Sequence, residues 1–532
     1  MPQPPRCLLD RHRWLPALRL LVALLALWLA GCANLPANVD RAPSSALAQP
    51  ETTRLGHSIA EHLAQTGQRH ASGFRLLGAT EAAYSSRLSL IDAADKTLDL
   101  QYYAILADPS TDLLLQRLRD AAARGVRVRI LLDDFNTTGA NADVLRLAFV
   151  PHIEVRLYNP LPGSRSSLVG RMLGSLGRIE QAQRRMHNKI FIADNTLGIT
   201  GGRNLGDAYF GQGQDSNFID LDVLAAGRVV RAMSASFDAY WNNPLAYPVQ
   251  TLLTPDELDA LQAPQAPPDA PQPPPNAAPL DLSPARLTWA PALLLVDKAD
   301  KLAAEQEGAE DTVVDGLLRL MAAAHEDLLI VSPYFVPGDA MMDVFARLRH
   351  QGVRVRVLTN SLAATDAPLA HVGYTRYRKR LLEMGVELYE MRAEPGPGGA
   401  ALGSGSAGMA RATRQPSAAG SVGTSRASLH AKTLVLDHSL LVVGSMNLDL
   451  RSQLQNSEIA LLIRSATLSR QAEEITRPVL EQDAYRMALE DGQIAWYPPD
   501  GPPVRTRLEP DAGVGLQLLL QLIGPLAPDE ML

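Results

Sequence analysis

The apolar and polar positions of this chain follow one order, and they follow it twice. In the first half, "TLDLQYYAI" (97–105), "RGVRVRILLDDFNTT" (124–138) and "IEVRLY" (153–158) are successive apolar runs. In the second half, "DLLIVSPYF" (327–335), "QGVRVRVLTNSLAAT" (351–365) and "VELYEM" (386–391) repeat them. A helix-like segment ending in Ala residues precedes the first run of each set. Val/Ile/Leu runs of about four to six residues suit buried strands, and the stretches of about 10–15 residues between them carry helical patterns. This alternation predicts an α/β architecture with a mostly buried sheet flanked by helices in each half. The match between the halves predicts one duplicated unit rather than two unrelated domains.

Composition marks the boundaries. Residues 1–31 form a segment of their own. Residues 32–51 are polar and Pro-containing and read as a tether. A first domain is expected over 52–254, a linker over 255–284 that is Pro-rich from 263 on, and a second domain over 285–505. A Gly/Ala/Ser-rich insertion interrupts the second domain at 394–427. The tail, 506–532, contains "VGLQLLLQLIGPL" (514–526), too short to span a bilayer and readable either as an interfacial helix or as core.

Each half also carries the same chemistry. Residues 187–204 read "HNKIFIADNTLGITGGRN", and residues 430–447 read "HAKTLVLDHSLLVVGSMN". His187, Lys189, Asp194, Gly201 and Asn204 recur at the same offsets as His430, Lys432, Asp437, Gly444 and Asn447. On a strand, the His and Lys of each block face the same side. Turns at Asp194-Asn195 and Asp437-His438 then send a return strand back to small residues, Gly201-Gly202 and Gly444-Ser445, that let a ligand approach the backbone.

A metal suits these residues poorly, because Lys is no ligand at neutral pH and one His per block is too few; no metal or cofactor is expected. Lys and Asn are donors suited to the non-bridging oxygens of a phosphate. A lone His beside phosphate is a candidate nucleophile, acid or base. Displacement at a phosphodiester needs a nucleophile on one side and a proton donor on the other. One block supplies one of them; two blocks facing each other supply both. The duplication therefore predicts a single site shared between the repeats.

The doubled pattern His-x-Lys-x₄-Asp-x₆-Gly-(Gly/Ser)-x-Asn resembles that of the phospholipase D superfamily, over about residues 75–465 and the later "WY" at 496–497. "RRMHNK", "GGRNLGDAYFG", "HVGYTRYRK", "ASLHAKT" and "NLDLRS" narrow the resemblance to bacterial cardiolipin synthases of the C type. It implies two tandem repeats packed pseudo-symmetrically around one active site. It further implies that His187 attacks phosphorus to form a phosphatidyl-histidine, and that His430 protonates the leaving alkoxide and then deprotonates the incoming alcohol. Lys189, Lys432, Asn204 and Asn447 would hold the phosphate, while Asp194 and Asp437 would stabilise the motif loops rather than touch substrate. The family places a carboxylate from the opposite repeat behind each His: Glu458 behind His187, and Asp220, with Asp222 as its rival, behind His430. Ser445 replaces the Gly found at 202, a variation usual for the second repeat. The implied substrates are membrane phospholipids, phosphatidylglycerol and phosphatidylethanolamine among them, with an accessory protein a further implication. Hydrolysis by a phospholipase D and cleavage of nucleic acid by a nuclease are the competing activities.

Bulk composition bears on that choice. The 532 residues are 46% hydrophobic and 20% charged, with a formal net charge of −7. A nucleic-acid binder usually carries a basic excess, so no nucleic-acid partner is expected. The N-terminus points to membranes instead. Arg6, Arg11, Arg13 and Arg19 precede the apolar run Leu20–Ala30, which suits a signal peptide, and the run ends in "LAGC" at Cys32. This resembles a bacterial lipoprotein signal. It implies cleavage before Cys32 and acylation of that residue, and Ala33 in place of Asp favours the outer membrane. The mature chain would keep Cys32 as its one cysteine, which leaves no intrachain disulfide. The basic segment 164–185, with Arg165, Arg171, Arg178, Arg184 and Arg185, is a second candidate for lipid contact, or an ordinary surface helix.

Overall fold

The computed structural model describes residues 35–37, 39–68, 70–165, 179–214, 216–263, 278–303, 311–394, 426–506 and 508–524. The signal segment with Cys32, most of the Pro-rich stretch, most of the 394–427 insertion and the middle of the basic segment lie outside these residues.

The first half supplies β1 (Ser72–Leu77), β2 (Thr97–Tyr102), β3 (Arg127–Asp133), β4 (Ile153–Tyr158), β5 (Ile190–Ala193), β6 (Leu197–Gly201), β7 (Ser216–Ile219), β8 (Asp222–Gly227) and β9 (Ala246–Pro248). The second supplies β10 (Thr288–Ala290), β11 (Ala292–Val296), β12 (Asp327–Val331), β13 (Arg354–Asn360), β14 (Glu387–Met391), β15 (Arg426–Leu429), β16 (Thr433–Leu436), β17 (Leu440–Gly444), β18 (Ile459–Arg464), β19 (Ala484–Glu490) and β20 (Gln493–Tyr497).

They build two nine-stranded sheets, in the orders β10-β1-β8-β6-β5-β2-β3-β4-β9 and β11-β18-β17-β16-β12-β13-β14-β19-β20, and a two-stranded sheet of β7 and β15. The run from β1 to β9 matches the run from β11 to β19 strand for strand, so the duplication read from the sequence is a duplication of topology. In each, three central strands are parallel, β2-β3-β4 and β12-β13-β14. Parallel neighbours need a crossover. Helices Pro109–Ala123 and Gly338–His350 provide the first crossover of each half.

Side chains alternate between two environments along the strands. Leu224 and Ala226 of β8 enter a core on the outer side of the first sheet, and Val442 of β17 enters one on the outer side of the second. Their neighbours Val223, Ala225, Leu441 and Val443 join a third cluster shared by both halves. Helices Arg228–Trp241 and Ala466–Pro478 lie along that shared core and reach β11 and β1 of the opposite half. The chain also crosses over at β10, which pairs with β1 and so completes the first sheet from beyond the linker.

Other segments are more firmly held than their composition suggests. In the stretch read as a tether, Arg41 Nε donates to the Ala246 carbonyl, and Ala46 N–H donates to Asp238. The start of the expected linker is a helix, Pro255–Gln262, with a capping box formed by Thr254 and Glu257. In the basic segment, Arg165 is buried against Asp134 and Arg185 against Asp133, while Arg184 donates to the Ala303 carbonyl. Arg165 and Arg185 thus brace the first domain from inside, and Arg184 ties it to the second.

Candidate active site

Each His-Lys block straddles a strand boundary. Residues 187–189 precede β5, and residues 430–432 lie between β15 and β16, so the two side chains are not set by strand alternation as the sequence suggested. Instead, each Lys Nζ donates to the carbonyl of its own block's His, Lys189 to His187 at 2.7 Å and Lys432 to His430 at 2.5 Å. The hairpin β5-β6 turns through Asp194 and Asn195, and the hairpin β16-β17 through Asp437 and His438, all four in the left-handed region (φ between 48° and 52°). That is the signature of a tight two-residue hairpin turn.

The motif aspartates serve this turn. Asp194 accepts from the N–H groups of Asp95, Lys96 and Thr97, each at 2.8 Å, at the start of β2. Asp437 accepts from the N–H groups of His325, Glu326 and Asp327 at the start of β12. Both carboxylates fasten the hairpin to the central strand, at the far end of β5 and β16 from the histidines.

The two repeats meet by strand-like pairing at the histidines themselves. Met186 bridges Ser457 in parallel, and His187 N–H donates to the Ser457 carbonyl at 2.9 Å. Across the pseudo-symmetry, β15 pairs in parallel with β7, Leu429 opposite Ile219, and His430 N–H donates to the Ile219 carbonyl at 2.7 Å. The next residue on each partner segment is a carboxylate. Glu458 places both oxygens 3.0 Å from His187 Nδ1, and Asp220 places Oδ2 2.6 Å from His430 Nδ1. Asp222, the rival, is committed elsewhere, to Arg87 at 2.9 Å and Arg203 at 3.5 Å. Each histidine is thus oriented by the opposite repeat, and neither half holds a complete site.

The comparisons with known proteins agree with this arrangement. The family described as "Cardiolipin synthase, PLD-like domain" matches residues 88–241 and 317–478, one segment in each half. Cardiolipin synthase C of Escherichia coli is 37% identical over 433 residues, covering 78% of this chain and 86% of that protein. The chain belongs to this family of phospholipase D-like cardiolipin synthases. A cardiolipin synthase of Geobacillus kaustophilus is 24% identical over 80% of this chain and 68% of its own length. The crystal structure of phosphatidylserine synthase from Haemophilus influenzae shares the fold, with a TM-score of 0.54 and 14% identity over 88% of this chain and 98% of that one.

The family's Gly/Ser variation acquires a reason here. A Cβ on Gly202 would lie 2.2 Å from Asp220 Oδ1, so Asp220 occupies the space that a side chain would need. At the matching position, the Ser445 hydroxyl donates to Glu458 Oε2 at 2.5 Å and accepts from Ile459 N–H. The longer Glu458 is held by a hydroxyl where the shorter Asp220 packs against bare backbone.

Both histidines, both lysines and both carboxylates are buried, and burial sets their protonation. It lowers the His187 imidazole to about 4, with Glu458 opposing and Lys189 adding to the shift. It lowers His430 too, with Lys432 adding and Asp220 opposing. Burial alone would raise the two carboxyls, but His187 and Lys189 hold Glu458 at about 2, and His430 and Lys432 hold Asp220 at about 2. At neutral pH the carboxylates are therefore ionised and can only accept, so each neutral imidazole carries its proton on Nδ1. That leaves a lone pair on each Nε2. Burial also brings Lys189 down to about 7 and Lys432 to about 8.

The asparagines sit in the same interior. Asn204 is engaged, accepting from Ala104 N–H and donating to the Tyr209 hydroxyl at 2.9 Å. Asn447 has a buried Oδ1 with no hydrogen-bond partner.

Sequence reasoning missed the aromatic walls. The Tyr103 ring meets His187 edge-on at 5.3 Å, and Tyr209 and Phe218 pack on His430 at 5.4 and 5.0 Å. The doubled tyrosine of "QYYAI" was the visible signal for Tyr103, and "GDAYFG" the one for Tyr209. Among the described residues, Asp327, His438 and Glu473 are grouped closely enough to hold a metal ion. The Arg356 guanidinium already lies 2.6 Å from Asp327 and 3.9 Å from Glu473, so a cation there would face a fixed positive charge.

Proposed function

We propose that the protein is a phosphatidyltransferase that joins two phospholipids into cardiolipin through a covalent intermediate on His187. The observation that carries the reading is the crossed pairing of each histidine with a carboxylate of the other repeat. Two imidazoles, each held at Nδ1 by a carboxylate, and two lysines then converge on one phosphodiester.

His187 Nε2 attacks phosphorus, and the bond from phosphorus to the departing headgroup oxygen breaks. The bound phosphate anion raises the proton affinity of the His430 imidazole, which takes up a proton from water on Nε2 and passes it to the leaving alkoxide. His430 then takes the proton of the incoming lipid alcohol, whose oxygen replaces His187 on phosphorus. Lys189 and Lys432 neutralise the equatorial oxygens. Asp220 and Glu458 hold the imidazole tautomers and stabilise the cation that forms on each. The choice of His187 as nucleophile follows the family pattern and is supported by its imidazole being unprotonated throughout the physiological range. Acylation of Cys32 would hold this site at a bacterial membrane, on the periplasmic face of the outer membrane. Among the described residues no helix is long and apolar enough to cross a bilayer.

The test is lipid turnover by the purified acylated chain in vesicles of phosphatidylglycerol, with and without phosphatidylethanolamine. Cardiolipin is the expected product; phosphatidic acid as the main product would make the protein a hydrolase. Rapid quench of His430→Ala with a lipid carrying a good leaving group should trap phosphatidyl-His187. Label on any other residue would reverse the assignment.

A further inference from the structure

We propose that the C-terminal helix Val514–Ile523 docks the protein on a phospholipid bilayer beside the mouth of the active site. The proposal rests on the reading of the protein as a phosphatidyltransferase acting on membrane lipids.

The helix, "VGLQLLLQLI", buries one of its glutamines with Leu520 and leaves three of its leucines strongly exposed. Its buried residues include Gln517, at 4% exposure, whose amide Nε2 donates to the carbonyls of Glu509 and Ala512 while its Oε1 accepts from Glu509 N–H. Leu518, Leu519 and Leu522 stand outward at 59%, 53% and 74% exposure, with Val514 and Leu516 beside them. A helix seated only by its hydrophobicity would turn the leucines in. Here the glutamine amide fixes the rotation, and the apolar face is left for another apolar phase. The helix carries no charged residue, so its affinity for that phase comes from apolar burial.

Its position connects it to the chemistry. Leu520 is buried, and Arg376 donates to the Gly524 carbonyl at 2.8 Å, which packs the helix on the first turns of helix Pro368–Glu383. His371 of those turns lies 3.3 Å from the Asn360 carbonyl, and the Asn360 side chain both donates to and accepts from the backbone of Leu429, the residue before His430. A cleft of about 450 Å³ lined by Leu362, Val372 and Leu520 lies between the helix and the loop that follows β13. The helix is therefore seated, through His371 and Asn360, on the elements that hold Leu429 and hence His430. A helix of 10 residues offers a strip about 15 Å long, well short of the ~800 Å² that a stable protein interface takes from each partner. Shallow insertion at the headgroup boundary needs no more than such a strip.

Two measurements on the full acylated chain test this. Leu522→Cys adds the one non-acylated thiol of the mature chain and accepts a nitroxide label. With phosphatidylglycerol/phosphatidylethanolamine vesicles, the label should become accessible to oxygen and shielded from an aqueous nickel complex. A label that stays aqueous overturns the proposal. So does one shielded without vesicles, which would mean that a second copy covers the face. Separately, the triple variant Leu518→Gln/Leu519→Gln/Leu522→Gln should lose about tenfold or more in turnover of vesicle lipid, yet keep turnover of monomeric dihexanoyl-phosphatidylglycerol within about twofold. Equal losses on both substrates would also overturn it. If the unaltered chain turns over neither lipid, the enzymatic reading fails, while the label still reports docking.

Discussion

Replacing Asp220 by Asn turns one acceptor oxygen into a donor and removes one negative charge at nearly constant shape, and its effect can be worked from the distances. Asp220 Oδ1 accepts from Leu221 N–H at 2.7 Å, and Oδ2 faces His430 Nδ1 at 2.6 Å. An asparagine of the same shape keeps its carbonyl on Leu221, because the flipped amide would set NH₂ against N–H. Its NH₂ then points at His430 Nδ1, which must become an acceptor. The imidazole proton moves to Nε2, so the lone pair that should take the alcohol's proton is gone. The cation needed for proton donation would also meet a donor at Nδ1. In a Ser-His-Asp triad the same replacement lowers turnover by about 10⁴. The expected loss here is roughly 10³–10⁴-fold, or about 4–5.5 kcal/mol in activation free energy. Single-turnover lipid transfer measures the rate, and ¹⁵N spectra of His430 report the tautomer. Asp222→Asn is the control. It weakens the ion pairs with Arg87 and Arg203 and should lower the melting temperature without moving the tautomer. The reasoning is refuted if Asp220→Asn retains a rate within about tenfold of the unaltered protein, or if Asp222→Asn proves the more damaging to turnover.

Other outcomes follow from the same geometry. Binding of tungstate, a tetrahedral anion whose own charge is constant near neutrality, should depend on the lysines. As pH rises through about 7 Lys189 loses its proton, and through about 8 Lys432 follows, so Kd measured by calorimetry should rise about tenfold per unit and then more steeply; a flat profile would mean that the lysines do not bind the anion. Gly202→Ala forces a Cβ to within 2.2 Å of Asp220 Oδ1 and should cost roughly 1–3 kcal/mol in stability and lower turnover through His430, whereas Ser445→Gly should fold readily. Asp194→Ala removes the acceptor of three backbone N–H groups, one buried and two part-buried, and should cost roughly 1–3 kcal/mol by denaturant titration while sparing the chemistry of the fraction that remains folded. Cys32→Ser should release the acyl anchor and shift the protein from the membrane fraction; an unchanged membrane fraction would rule out lipidation as the principal attachment.

The sequence by itself determined the duplication, the α/β class and the two His-Lys-Asp blocks. Those signals are local: strand periodicity, turn residues and motif spacing are properties of consecutive residues. It also pointed to Glu458 and Asp220 through the family pattern, with Asp222 as a rival to Asp220 that no local feature removed. Two carboxylates two residues apart look alike until it is known which one faces the other repeat. Only the tertiary structure decided that: β7 pairs with β15, which carries Asp220 to His430, while Asp222 begins β8 and turns to Arg87 and Arg203 inside its own domain. The same holds for Gly202 against Ser445, for the arginines at 165, 184 and 185, which the sequence left open between lipid contact and an ordinary surface and which contact Asp134, Ala303 and Asp133, and for β10, which leaves the second half to complete the first sheet. Each of these turns on contacts between segments distant along the chain. A linear pattern fixes which face of an element is apolar; the packing of the two sheets fixes what that face, and each polar group beside it, finally meets.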